Sequence, residues 1–183
     1  MIDTVSRTDR LVLHRPSAAD VDDVFALLSD PLMWEHYPSM RHQERAQSES
    51  LVDSWQDSWD EHGLGMWIAR DEDGALHGIG GSAVRHETYW NLAYRLSPGS
   101  RGRGLAAELA RAGIAAARRT DGALPIVATM LAHNAGSSAV ARRAGLVEVH
   151  RGPDISNPTP GVTRLVFADR ELSQATLTAA MTW

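Results

Sequence analysis

The sequence predicts a mixed α/β (α+β) domain with a mostly antiparallel central sheet of about six to seven strands, flanked by helices. Three observations carry this. Residues 65–71, 75–85 and 89–96 are strand-like runs separated only by Glu72-Asp73-Gly74 and His86-Glu87-Thr88, so they form an antiparallel meander. The last of these runs passes through Ser97-Pro98-Gly99-Ser100 and Arg101-Gly102-Arg103-Gly104 into a helical pattern, in which Leu105, Leu109, Ala112 and Ala116 recur at three- and four-residue steps. Finally, 183 residues with 43% hydrophobic and 22% charged content suit one globular domain with a sizeable core.

Residues 10–15 alternate as a first strand, and Pro16-Ser17 end it, with Ser17 as helix N-cap. Val21, Val24, Phe25 and Leu28 form the apolar stripe of the first helix, with three Asp in its first turn, where the helix dipole favours acids. Residues 32–40 read as an aromatic loop containing Trp34, His36, Tyr37 and Pro38. Residues 41–62 have helical spacing, with Trp55 and Trp59 stacked on one face and Gly63 as the cap. Gly78, Gly80 and Gly81 inside the strand at 75–85 indicate a bulge or a close backbone approach. Beyond the long helix come a buried strand at 125–131, a short helix at 135–144 ended by Gly145, and strands at 146–151 and 163–167. Between those two strands lies a proline-rich loop, 152–161, able to cover a site. Residues 8–168 make one domain; 1–7 and 169–183 are terminal extensions, the latter holding a peripheral helix.

Composition narrows the chemistry. There is no cysteine, which excludes disulfides, thiolate catalysis and cysteine-based zinc sites, and no metal is expected. All 18 basic residues are arginine, so a Walker-type lysine and Schiff-base chemistry are excluded. No apolar run approaches the ~20 residues that span a bilayer, and MIDTVSRTDR has no signal-peptide core, so no membrane association and a cytoplasmic location are expected. The net charge of −5 makes nucleic acid a poor partner. Residues 1–75 carry a net −10 and residues 76–183 a net +5, which suits an anionic ligand in the second half and a cationic one in the first.

Strand, glycine loop and helix start are the physical recipe for an anion site. Glycine permits positive φ and close approach, and the first-turn amides have no intrahelical partner. Arg101 and Arg103 add positive charge on either side of Gly102, so the loop is expected to hold a phosphorylated ligand.

Arg101-x-x-Gly104-x-Ala106 resembles the R/Q-x-x-G-x-G/A signature of the GNAT superfamily of acyl-CoA-dependent N-acetyltransferases. Tyr94-Arg95-Leu96-Ser97-Pro98 resembles that family's fourth strand and its splayed exit, and Asn134-x-x-Ser137-x-x-Val140-x-x-Arg143-x-Gly145-Leu146 its second motif. Thr8-Asp9-Arg10-Leu11-Val12-Leu13-His14-Arg15 is similar to the first strand of the branch that acetylates ribosomal-protein N-termini. The resemblance implies a splayed strand pair forming a cleft for acetyl-CoA. The amides of Arg101, Gly102, Arg103, Gly104, Leu105 and Ala106 would cradle the pyrophosphate. The backbone from Tyr94 to Leu96 would pair with the pantetheine arm, and Asn134 and Ser137 would contact its other side. Asn134 is equally suited to be a helix cap. A homodimer is a further implication.

The implied reaction is direct attack of a primary amine, on a small molecule or a peptide, at the thioester. It needs a base within reach of the ammonium, donors for the oxyanion and an acid for the thiolate. The related branch often has Glu where Asn91 stands, and many relatives have a Tyr acid where Ala141 stands. In their absence the candidates are Ser137 or Ser138 as acid, and Glu87, His86, Tyr89 or Asp154 as base. Glu87 and His86 also read as ordinary turn residues. The acidic early half favours a cationic acceptor, with Asp53, Asp57 and Glu61 bordering its groove beside Trp34 and Trp55. Two rivals remain. Gly102-x-Gly104-x-x-Ala107 matches a dinucleotide pattern, but no acid ends the next strand to bind a ribose. A non-catalytic coenzyme A-binding sensor is the other.

Overall fold

The computed structural model describes residues 5–154, 157 and 159–182. Its eight strands are β1 (Val5–Arg7), β2 (Val12–His14), β3 (Met66–Arg70), β4 (Leu76–Arg85), β5 (Tyr89–Leu96), β6 (Ile126–Leu131), β7 (Val147–Pro153) and β8 (Thr163–Ala168). They form one sheet in the order β1-β2-β3-β4-β5-β6-β8-β7. That is one strand more than expected. The addition is β1, which pairs antiparallel with β2 from Val5↔His14 to Arg7↔Val12. It lies in the stretch expected to be an extension, and its single apolar residue, Val5, is exposed, so no hydrophobic alternation marks it.

All neighbouring strands are antiparallel except β5 and β6. The five α-helices are α1 (Val21–Leu28), α2 (Arg45–His62), α3 (Leu105–Thr120), α4 (Ala135–Arg143) and α5 (Gln174–Met181). Among the described residues, no helix is long and apolar enough to cross a membrane. α3 and α4 share a core with Trp90, Leu92 and Leu96 of β5 and with Ile126, Ala128 and Met130 of β6. α1 and α2 pack on the other face, over Ile68 and Ile79. Strand alternation therefore sends Leu92 and Tyr94 toward α3 and α4, and Ala93 and Arg95 toward α1 and α2. α5 is more than peripheral: its Ala180 is fully buried with Tyr89, Val127 and Val166.

α2 begins at Arg45, four residues later than its spacing predicts. The Gln47 side chain accepts from the amides of Gln43 and Glu44, at 2.6 and 3.0 Å, which fixes the start. Gly63 ends the helix with φ 69°. Trp55 and Trp59 belong to different cores. Four residues advance a helix about 40° past a full turn. Trp59 accordingly meets Trp67 (6.1 Å between centroids) and donates to Met66 O at 2.9 Å. The strand glycines mark a close approach: a Cβ on Gly80 would lie 2.5 Å from Leu109 Cδ2, so α3 rests directly on β4.

One buried carboxylate ties the start of α3 to the chain's beginning. Glu108 accepts from Thr8 Oγ1 (2.5 Å), Arg10 N (2.9 Å), Arg10 Nε (2.9 Å) and Arg10 Nη2 (2.6 Å). Burial pushes its carboxyl up, but the Thr8 and Arg10 bonds outweigh that and hold it below the usual 4.5. A depressed folded-state value contributes stability above about pH 4.5, and this is lost as pH falls through the lower value. Glu108→Gln is therefore expected to cost ~1–2 kcal/mol at pH 7, seen as a Tm drop of roughly 2–8 °C, with the deficit shrinking in melts below pH 4.5.

Candidate active site

β5 and β6 pair at only two positions, Trp90↔Ile126 and Asn91↔Val127. Beyond them β5 stays on β4 as far as Gly78↔Leu96, while β6 stays on β8 as far as Leu131↔Arg164. The strands part, and a cavity of about 680 Å³ opens between them. Tyr94 spans part of the gap. Its hydroxyl donates to Ser137 O at 2.8 Å and accepts from Ser137 Oγ at 3.3 Å, which pins the start of α4 to β5. Burial pushes the Tyr94 phenol up to about 12, so it stays protonated.

One end of the cavity is the start of α3. Gly102 and Gly104 hold φ 75° and 79°, and Gly104 is the N-cap. No hydrogen bond among the described residues uses the amides of residues 102–107; the first runs from Glu108 N to Gly104 O at 3.2 Å. These donors, on an exposed loop with the helix dipole behind them, fit a diphosphate. Arg10 Nη1 braces the loop from behind by donating to Arg103 O at 2.7 Å.

Tyr94, Leu96, Arg101, Gly102, Gly104, Ala106, Asn134 and Ser137 all line the cavity. Arg103 and Leu105 do not: Arg103 is exposed and Leu105 is packed in the core, so each offers the site only its backbone. Arg101 is turned away from the loop's amides and donates to Leu32 O at 2.8 Å. The Asn134 side chain caps α4 by accepting from Ser137 N at 3.0 Å. Ser137 faces the cavity, whereas Ser138 is buried against Met130 Sδ and Asn134 O.

The four base candidates all lie outside the cavity. His86 and Glu87 form the β4–β5 turn with φ 50° and 54°, beyond the end of β5 that is still paired, and Glu87 lies 3.8 Å from His62. Tyr89 is buried under α5. Asp154 is buried in an ion pair with Arg164 at 2.9 Å. Residues 155, 156 and 158 of the proline-rich loop lie outside the described residues. Asp53, Asp57 and Glu61 are exposed on α2 and face solvent, and Trp55 is buried between α1 and α2. Of the expected acceptor residues, Trp34 alone lines the cavity.

Another wall of the cavity is formed by Leu32 to Tyr37 and Met40, which meet Arg95 at Trp34. Trp34 Nε1 donates to Leu28 O at 2.6 Å, and the His36 ring stacks on Trp34 at 6.2 Å and 23°. His133 Nε2 bonds His36 O at 2.9 Å. Burial, then Arg95, His133 and Arg101, hold His36 below the usual 6.5 against the opposing Glu35, so its imidazole is neutral at physiological pH. Sequence reasoning missed His36, Arg95 and His133. The available signals were a Trp-x-His pair inside a proline-bracketed loop and an arginine on the inward face of a strand otherwise apolar at its neighbours. Among the described residues, no group of three or more His, Asp or Glu is placed to hold a metal ion.

Comparison with known proteins agrees with this geometry. The acetyltransferase (GNAT) domain family matches residues 10–147. A Bordetella pertussis protein described as a GnaT-family acetyltransferase superposes with a TM-score of 0.77 at 25% identity, over 92% of this chain and 100% of its own. The acetyltransferase from Agrobacterium tumefaciens str. C58 gives 0.73 at 24%, over 91% and 94%. RimL, a ribosomal L7/L12 alpha-N-protein acetyltransferase solved with coenzyme A, gives 0.72 at 16%, over 91% and 99%. No curated protein matches the chain in sequence. With a family match over most of its length, a sheet that parts at β5 and β6, and open amides at the start of α3, this chain belongs to the GNAT family of acetyltransferases.

Proposed function

We propose that the protein moves an acetyl group from acetyl-CoA to a primary amine by direct attack in a ternary complex. The observation that carries this is the cleft between β5 and β6, which runs from the unbonded amides of residues 102–107 to the aromatic wall at Trp34 and His36. Acetyl-CoA supplies the thioester carbonyl. The amides at the start of α3 hold its pyrophosphate, and the edge of β5 beyond Asn91, which has no strand partner on that side, pairs with its pantetheine arm.

His36 is the proton acceptor. It is neutral, lines the cavity and sits in a fixed ring stack, as a base for an ammonium requires. The Tyr94–Ser137 hydroxyl pair returns a proton to the departing thiolate, in the region where Ala141 leaves α4 without a phenol of its own. Of the acceptors suggested by sequence, a polypeptide N-terminus and a small cationic amine, a small amine that carries only positive charge is disfavoured, which leaves a polypeptide N-terminus or a small amine that also bears an anionic group. Arg95, Arg101, Arg143 and Arg164 line the cavity, against a single carboxylate among the described residues, Glu35.

A screen of primary amines read by free coenzyme A tests the activity directly; tight coenzyme binding without turnover on any amine overturns it. Gly104→Val places a β-branched side chain at φ 79°, and calorimetry is expected to show coenzyme A bound at least about tenfold more weakly. His36→Gln is expected to lower kcat by about 10²–10⁴-fold with the KM for acetyl-CoA unchanged. Wild-type kcat should fall on the acid side with a midpoint below 6.5, as the imidazole gains its proton, and the variant should lack that limb.

A further inference from the structure

Among the described residues, Arg95 and the exposed Arg143 are the cations of the cavity without a protein oxygen, and Arg95 is the one held within it, stacked on Trp34. Arg164 has Asp154 and Arg101 has Leu32 O, at 2.9 and 2.8 Å. Among the described residues, the Arg95 guanidinium makes no hydrogen bond or ion pair. It stacks on the face of Trp34, 4.7 Å from the ring centroid. Stacking of this kind holds a guanidinium by one face and leaves its edge donors free for a planar two-oxygen anion. Trp34 is itself fixed through Leu28 O and is 3% exposed, so the stack is a rigid platform. Burial lowers the Arg95 pKa to about 10, which still leaves a full charge at neutral pH. A desolvated cation without a counter-ion is costly unless a ligand brings one.

The position of Arg95 says which ligand. Its side chain leaves β5 on the face toward α1 and α2, opposite the face against which α3 packs. The wall it meets is Trp34, and the next ring on that wall is the imidazole of His36. An anion on Arg95 and an amine at His36 are therefore neighbours along one ring stack. We propose that Arg95, stacked on Trp34, is the carboxylate-binding residue of the acceptor subsite, and that the acceptor is a free α-amino acid, whose amine and carboxylate sit on one carbon. This rests on the acetyl-transfer reading above. In the reaction the α-ammonium gives one proton to the His36 imidazole, the neutral amine attacks the thioester carbonyl and forms the new C–N bond as the C–S bond breaks, and the second nitrogen proton is balanced by the one delivered to the departing sulfur, so the coenzyme leaves as the thiol.

The test has an arm that needs no turnover. N-acetyl derivatives of the common amino acids and their matching carboxamides are titrated by calorimetry into the protein with coenzyme A bound. At least one N-acetyl acid is expected to bind tenfold or more tightly than its carboxamide. Arg95→Met should erase that contrast and Arg95→Lys keep part of it, while the Kd for coenzyme A stays within twofold. In steady state, the matching amino acid should exceed its amide in kcat/KM by a similar factor, lost in Arg95→Met through the acceptor KM. Equal binding of acids and amides by the wild-type protein, or no binding of either, overturns the proposal whatever the variants do. A rise in coenzyme A Kd in Arg95→Met with the acid contrast intact also overturns it, and assigns Arg95 to the coenzyme's phosphates. If the contrast is present but no amine is acetylated, the subsite stands and the acetyl-transfer reading fails.

Discussion

Two strands that begin side by side and then separate decide what this molecule can do. β5 and β6 are held together only at Trp90 and Asn91, because each has a stronger claim elsewhere: β5 follows β4 for eight residue pairs, and β6 follows β8 for five. Once they diverge, a strand edge inside the domain loses its partner, and buried backbone polar groups must find another. A ligand with amide groups of its own is the natural one. Tyr94 keeps the opening from collapsing by reaching across to Ser137, and Leu109 against Gly80 keeps α3 pressed on the sheet, so the helix start stays aimed into the gap. The open amides of the glycine loop, the Tyr94 wedge and the aromatic wall at Trp34 and His36 are all arranged around that one divergence.

The two halves of the cleft are built by different physics. At the α3 end the site is backbone: left-handed glycines and, among the described residues, amides without acceptors, indifferent to the side chains at Arg103 and Leu105. At the Trp34 end it is side chain: a tryptophan pinned by its indole N–H, an imidazole stacked on it and a guanidinium across it. The first kind of site accepts a shared ligand. The second can be retuned residue by residue for a particular acceptor.

That difference also explains what the sequence disclosed. The meander, α3 and its glycine loop were legible because local signals, namely turn dipeptides, helical spacing and positive-φ glycines, specify them. β1 was hidden because a three-residue edge strand with its one apolar residue exposed has no periodicity to find. The aromatic wall was hidden for a different reason: Trp34 and His36 lie about sixty residues from Arg95 in sequence and meet it only when the loop after α1 folds over β5. The acidic face of α2 drew attention by its composition, yet Asp53, Asp57 and Glu61 are solvated. Glu87 and His86 were plausible by type, but they fall at the wrong end of β5, where the strands are still joined.

The bond from Arg101 to the carbonyl of Leu32 joins those two halves, since its donor belongs to the coenzyme loop and its acceptor to the loop that carries Trp34 and His36. A ligand seated on the first loop would touch the second through this bond. In the proposed reaction, that single bond is the route by which an acyl donor on the first loop would bear on the loop that carries Trp34 and His36.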